Sequence, residues 1–211
     1  MENLPKDVLT LLLLDLDIDS VISMCQTSSK FKNKICLNDY FWMNKLSHDF
    51  GLNSDLKSAK KEYFEAYNIL KTDPISFYNK GIFTNNIKMV KLGLAYGAEV
   101  NYMSHGTLTP LMYSLFRGYD EIFDYLADKA VSDQSTFILN VRGFIDFYDN
   151  KKETLTKFFS HFIPKNIKYF NNKEFKQSLL LKFTEAYKND QKHANSKFYN
   201  EWIDYYRQLA Q

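Results

Sequence analysis

Between Lys88 and Glu121 the chain begins to repeat itself. Lys88-Met89-Val90-Lys91-Leu92 aligns with Glu121-Ile122-Phe123-Asp124-Tyr125 at an offset of 33 residues. At that offset Gly97-Ala98 falls on Ala130-Val131, and Asn85 on Gly118. A fixed period of this length constrains the fold strongly. It marks a unit too small to bury its own apolar face, which must therefore stack on its neighbours. The signals inside the unit are helical. Thr109 precedes Pro110, so its hydroxyl caps a helix whose first turn holds the proline. Gly97 permits the left-handed conformation that ends a helix. A third, degenerate copy follows. Leu155 falls on Ile122, Phe158-Phe159 on Tyr125-Leu126 and Phe144-Ile145 on Leu111-Met112, with Arg142-Gly143 replacing Thr109-Pro110. The first copy is also irregular where it opens, at Pro74-Ile75-Ser76-Phe77.

Ahead of the repeats, Leu4 to Leu46 reads as three short amphipathic helices. Pro5 sits where a helix starts, a position that loses no hydrogen bond. Val8, Leu9, Leu12 and Leu13 recur at helical spacing. Ile18, Val21, Ile22 and Cys25 mark a second helix, with Asp17 or Asp19 as its cap. Ser28 and Ser29 offer a cap for a third, carrying Phe31 and Ile35, and Asp39 leads into Tyr40-Phe41-Trp42 and Leu46. Helices this short cannot bury every apolar side chain against one another. Part of the leucine-rich face is left for a partner.

Two resemblances follow. The order Leu4-Pro5, Asp7-Val8-Leu9, Leu12-Leu13, Leu16, Ile18 to Met24, Ser29-Lys30-Phe31, Ile35 and Trp42 resembles the F-box, the adaptor-binding module of cullin–RING ubiquitin ligases. The period, Thr109-Pro110-Leu111-Met112-Tyr113, and Lys88 to Asn101 resemble the ankyrin repeat, in which a turn and two antiparallel helices recur. An N-terminal F-box with eroded ankyrin repeats in a chain rich in Asn, Lys and Phe also resembles proteins of large eukaryotic DNA viruses, which implies a host adaptor.

Composition agrees with a folded, intracellular protein. Aromatics make up 17% of 211 residues, enough to build a core, and a net charge of +2 implies no global attraction to nucleic acid. Only Cys25 and Cys36 are present. Both fall on helical faces, and the count suits a reducing compartment. The run Leu9 to Leu14 is too short to span a bilayer and lacks the basic flank of a signal peptide.

The remaining segments read as structural. Leu56, Ala59, Tyr63, Tyr67 and Leu70 form a stripe on a connecting helix capped by Ser54-Asp55. Asp49-Phe50-Gly51 is a helix end, with Gly51 at the C-cap and Phe50 turned inward, and carries no chemistry. From Pro164 onward, Phe175, Leu179, Leu180, Phe183 and Tyr187, then Phe198, Trp202, Tyr205 and Leu209, fall at core spacing. This segment carries nine Lys or Arg against five Asp or Glu. Because its aromatics pack at core spacing, it reads as a pair of capping helices, and nucleic acid is not an expected partner. The four histidines are scattered, no phosphate loop or nucleophile elbow occurs, and neither cysteine has a catalytic context.

The expectation is thus an all-α protein without a catalytic site, metal or other cofactor. Residues 1–47 form the F-box-like module and 48–72 the connecting helix. Residues 73–163 form the repeats (73–105, 106–138 and the degenerate 139–163), and 164–211 form a C-terminal cap. The F-box resemblance implies contacts to an Skp-type adaptor from Leu4, Pro5, Val8, Leu9, Leu12, Leu16, Ile22 and Trp42. The ankyrin resemblance implies a target protein held by Tyr102, Met103, His105, Tyr113, Phe116, Arg117 and Tyr119. Together they imply a cytoplasmic substrate receptor of a Skp–cullin–F-box ubiquitin ligase. A ligase-independent repeat scaffold is the alternative.

Overall fold

The computed structural model describes residues 4–102 and 108–130, together with Phe162, Asn166 and Asp204. Every regular element among them is helical. The chain forms two compact units, residues 1–99 and 100–211. Among the described residues, no helix is long and apolar enough to cross a membrane.

In the first unit, α1 (Lys6–Leu14) starts after Pro5, whose carbonyl accepts from the Leu9 N–H at 3.0 Å. α2 (Ile18–Thr27) is capped by Asp17, which accepts from the backbone N–H of Ser20 at 2.9 Å and from its hydroxyl at 2.7 Å. These two bonds favour the carboxylate, and Asp17 is held below its ordinary pKa. The short α3 (Ser29–Phe31), capped by Ser28, continues into a π-helical turn over Lys32–Cys36. α4 (Asp39–Phe50) is capped by Asn38, with Asp39 in its first turn. Gly51 ends it at φ 64°, in the left-handed region, with Phe50 buried as expected.

α5 (Ala59–Thr72) starts later than expected, because Asp55–Ser58 forms a turn and leaves Leu56 outside the helix. Ala59, Tyr63 and Leu70 are buried along its inner stripe. α6 (Pro74–Phe83) and α7 (Ile87–Ala95) then form an antiparallel pair. Asp73 caps α6 by accepting from Ser76 N–H at 2.9 Å, with Pro74 in the first turn. This aspartate–proline pair does the work of Thr109-Pro110, so the opening of the first repeat is less irregular than its letters suggest.

One core runs through this unit. Trp42 packs against Tyr63 and Phe64, with ring centroids 5.5 and 5.2 Å away. Phe50 meets Tyr63 at 5.1 Å and Phe77 of α6 at 5.7 Å. Each buried aromatic of this kind contributes roughly 2–3 kcal/mol. The end of α4 is tied directly to α7: Asn86 Nδ2 donates to the Phe50 and Gly51 carbonyls, and Lys88 Nζ to those of Ser47 and His48. Ser47 already accepts from the Gly51 N–H at 3.0 Å, whereas the other carbonyls stand at the open C-terminal end of the helix and are satisfied from a neighbouring element. The boundaries at 47/48 and 72/73 therefore do not separate compact units, and the boundary at 99/100 falls inside the segment read as the first repeat.

The second unit contains α8 (Pro110–Arg117), capped by Thr109 accepting from Met112 N–H, and α9 (Asp120–Ala127). Leu111, Leu115, Ile122, Phe123 and Leu126 are buried within it. Asn166 donates to the Ala127 carbonyl at 3.0 Å. The two pairs turn alike. Asn86 N–H donates to the Gly81 carbonyl across Asn85 at φ 55°, and Tyr119 N–H to the Ser114 carbonyl across Gly118 at φ 72°. Both close the first helix with the same left-handed device. Asn85 and Gly118 are the residues that the 33-residue offset superposes. The degenerate third copy and the C-terminal helices otherwise lie outside the described residues.

Cys25 and Cys36, which the sequence places on helical faces with a count suited to a reducing compartment, are disulfide-bonded, with Cα atoms 6.2 Å apart.

Candidate protein-docking surface

α1 is apolar on more than one side, since leucine occupies four consecutive positions from Leu11 to Leu14. Leu9 and Leu13 enter the core of the first unit, which removes them from solvent. Val8, Leu11 and Leu12 stay outside, at 41%, 69% and 52% exposure. The same contrast recurs at the start of α4. Phe41 and Trp42 are buried, so Tyr40 turns to the other side and is 60% exposed. A groove of about 480 Å³ lies between α1 and the start of α4, lined by Lys6, Asp7, Thr10 and Leu11 of α1 and by Asn38, Tyr40 and Asn44. Leu37, just before Asn38, is 62% exposed.

The adaptor contacts implied by the F-box resemblance divide into three groups. Val8, Leu12 and Pro5 are exposed, and Leu4, Leu16 and Ile22 are half-buried. Leu9 and Trp42 are core residues with no side-chain surface to offer. The Trp42 indole N–H is itself occupied, donating to the Cys36 carbonyl at 3.0 Å. Burial gives these two a place in the core of the unit. Leu11, Leu37 and Tyr40, which the resemblance does not name, are also exposed. For Tyr40 a signal existed: two large aromatics follow it directly, and successive helical residues point about 100° apart.

A polar cluster gathers around the buried Lys45 and Tyr63. Lys45 Nζ donates to the carbonyls of Leu14 at 2.6 Å and Leu16 at 2.7 Å and pairs with Asp49. Asp49 also accepts from the Tyr63 hydroxyl at 2.7 Å and lies 2.8 Å from His48 Nδ1. Burial, then the hydrogen bond to Asp49, push the Tyr63 phenol well above its ordinary pKa. The cluster fixes the end of α1 to α4 and α5, so the exposed leucines stand on a rigid base.

In the second unit, Tyr113 and Tyr119 stand edge-to-face with centroids 6.3 Å apart. The Arg117 guanidinium lies 5.8 Å from the Tyr113 ring. A hydrogen bond with Tyr119 and the neighbouring phenols hold its pKa above the usual value. Phe116 and Tyr102 are exposed at 52% and 46%. The structure thus brings together Tyr113, Arg117 and Tyr119 from the target-binding set, while Met103 and His105 lie outside the described residues. No group of His, Cys, Asp and Glu able to hold a metal ion occurs among the described residues. Neither a protein-family model, nor a curated protein, nor a solved structure matches this chain.

Proposed function

We propose that the first unit docks an Skp-type adaptor of a cullin–RING ubiquitin ligase through the outer face of α1 and the adjoining start of α4. One observation carries this reading. Leu11 and Tyr40 stay exposed on the walls of a groove, and Val8 and Leu12 stay exposed on the same helix, although the core beneath them is already closed by Leu9, Leu13 and Trp42. Clustered apolar side chains of this kind on a rigid base suit a protein partner. The helix pairs would then hold a target, with the Tyr113–Arg117–Tyr119 cluster as the candidate contact. The receptor does no chemistry; it raises the target's effective concentration near the conjugating enzyme.

The ligase-independent scaffold is the second reading. Leu9 and Leu13 favour it, since they share one core with Tyr63 and Phe77, as a cap on a repeat stack would.

Binding of the purified full-length protein to an Skp-type adaptor separates the two. The docking reading expects submicromolar affinity, lost in Leu11→Asp with Tyr40→Ala and weakened in Leu4→Ala with Pro5→Ala. Circular dichroism confirms that each variant is folded. A folded wild type that binds no adaptor leaves the scaffold reading.

A further inference from the structure

The two cysteines have no part in the docking or repeat readings. Cys25 lies on α2 at 9% exposure, and Cys36 is half-buried at the end of the π-helical turn. Their disulfide ties α2 to the chain just before the groove. The Cys36 carbonyl is held twice more, accepting from Trp42 Nε1 at 3.0 Å and from Lys60 Nζ at 3.1 Å. Immediately afterwards come exposed Leu37, then Asn38, whose side chain caps α4, and Tyr40 on the groove. Cys36 is therefore the anchor of the segment that forms one side of the docking surface.

We propose that Cys25 and Cys36 form a reversible thiol–disulfide switch that sets the order of the Leu37–Tyr40 side of the groove, with a low-molecular-weight disulfide such as oxidised glutathione as the oxidant. The more accessible Cys36 thiolate attacks one sulfur of the small disulfide, forming a mixed disulfide and expelling one thiolate. The Cys25 thiolate then attacks the Cys36 sulfur and expels the second. The two cysteines are oxidised, the small disulfide is reduced to two thiols, and the protons lost by the cysteines end on those thiols. In a reducing cytoplasm a disulfide is transient, and a sensing role follows from that. The bond closes residues 25–36, and the Lys32 and Ile35 carbonyls inside that loop accept from the N–H groups of Leu37 and Asn38 at 3.0 and 2.9 Å, so loosening of the turn on reduction is passed to the segment that follows it. The consequence for a partner rests on the adaptor reading above; the switch itself does not.

Hydrogen exchange on the full-length wild type tests the switch without any adaptor, so failure of docking and failure of the switch are seen separately. The protein is equilibrated over a series of reduced-to-oxidised glutathione ratios, alkylated and weighed. Parallel samples are exchanged into deuterium oxide. The expected result is an intramolecular bond that opens in millimolar reduced glutathione, with amide exchange over residues 37–40 faster by roughly tenfold. Far-ultraviolet circular dichroism should stay unchanged. A bond that survives millimolar reduced glutathione, unchanged exchange over 37–40, or global loss of helix on reduction would each overturn the proposal. The wild type in its two redox states carries the test, so it does not depend on a cysteine variant that folds.

Discussion

Lys45 and Asp49, one helical turn apart on α4, form a 2.9 Å ion pair in which the lysine side chain is only 2% exposed. The ammonium has three protons, and the carbonyls of Leu14 and Leu16 take the other two. Lys45→Met keeps the unbranched stem, one atom shorter, and removes all three bonds. It leaves two carbonyls and a carboxylate short of a donor. Breaking such a group costs about 3 kcal/mol. Denaturant titration should show a loss of this size with an unchanged slope; a loss below about 0.5 kcal/mol would mean that water takes the ammonium's place.

Tyr63 ties stability to alkaline pH. Its phenol is held above the unfolded value by burial and by Asp49. Its stabilising effect is fully present below the unfolded tyrosine pKa of about 10 and is lost as pH rises beyond it. While the folded phenol stays protonated, each further pH unit costs about 1.4 kcal/mol. Tyr63→Phe removes the titration and costs about 1 kcal/mol for the hydrogen bond. The stability gap between wild type and variant should be flat from pH 7 to 9 and then close or reverse by pH 11. A gap that stays constant over the whole range would contradict the buried phenol.

Two glycines separate steric from conformational demand. A Cβ on Gly93 would stand 2.6 Å from Tyr78 Cβ and 2.9 Å from its Cα, where α6 and α7 cross. Gly93→Ala should cost about 2–3 kcal/mol despite alanine's better helix propensity, because two backbones must part. At Gly118 a Cβ would meet nothing within 4 Å, and only the φ of 72° resists it. Gly118→Ala should cost about 1–2 kcal/mol. Thermal melts of the pair should rank Gly93→Ala as the less stable; the reverse order would mean a looser crossing than the structure has.

These residues also mark where the sequence was readable. Pro5, Asp17, Ser28, Gly51 and Thr109 announce helix ends through local chemistry, and each does its work within three or four residues. The period aligned Asn85 with Gly118 because both must adopt the same left-handed turn. Lys45 was not legible, since a lysine in a helical pattern reads as surface and its acceptors lie 29 and 31 positions earlier in the chain. Asn86 and Lys88 were hidden likewise, because their acceptors are 35 to 41 positions away. Asp73-Pro74 lacks the letters of the repeat signature, yet it meets the physical requirement, which is an acceptor ahead of a proline. On α1, spacing shows more apolar residues than one core needs, but not which of them the core takes.

That division gives the sharpest contrast among neighbouring leucines. Leu9 is fully buried and Leu11 is 69% exposed, two positions apart on α1. Leu9→Ala opens a cavity beneath the helix and should destabilise the chain by about 3 kcal/mol. Leu11→Ala removes a side chain already in water and should change stability by less than about 0.5 kcal/mol. The two variants therefore separate folding from docking. If Leu11→Ala melts with the wild type yet loses adaptor affinity, the outer face of α1 is a contact surface. If Leu11→Ala is as unstable as Leu9→Ala, that face is covered within the chain itself, and the case for an external partner at α1 falls.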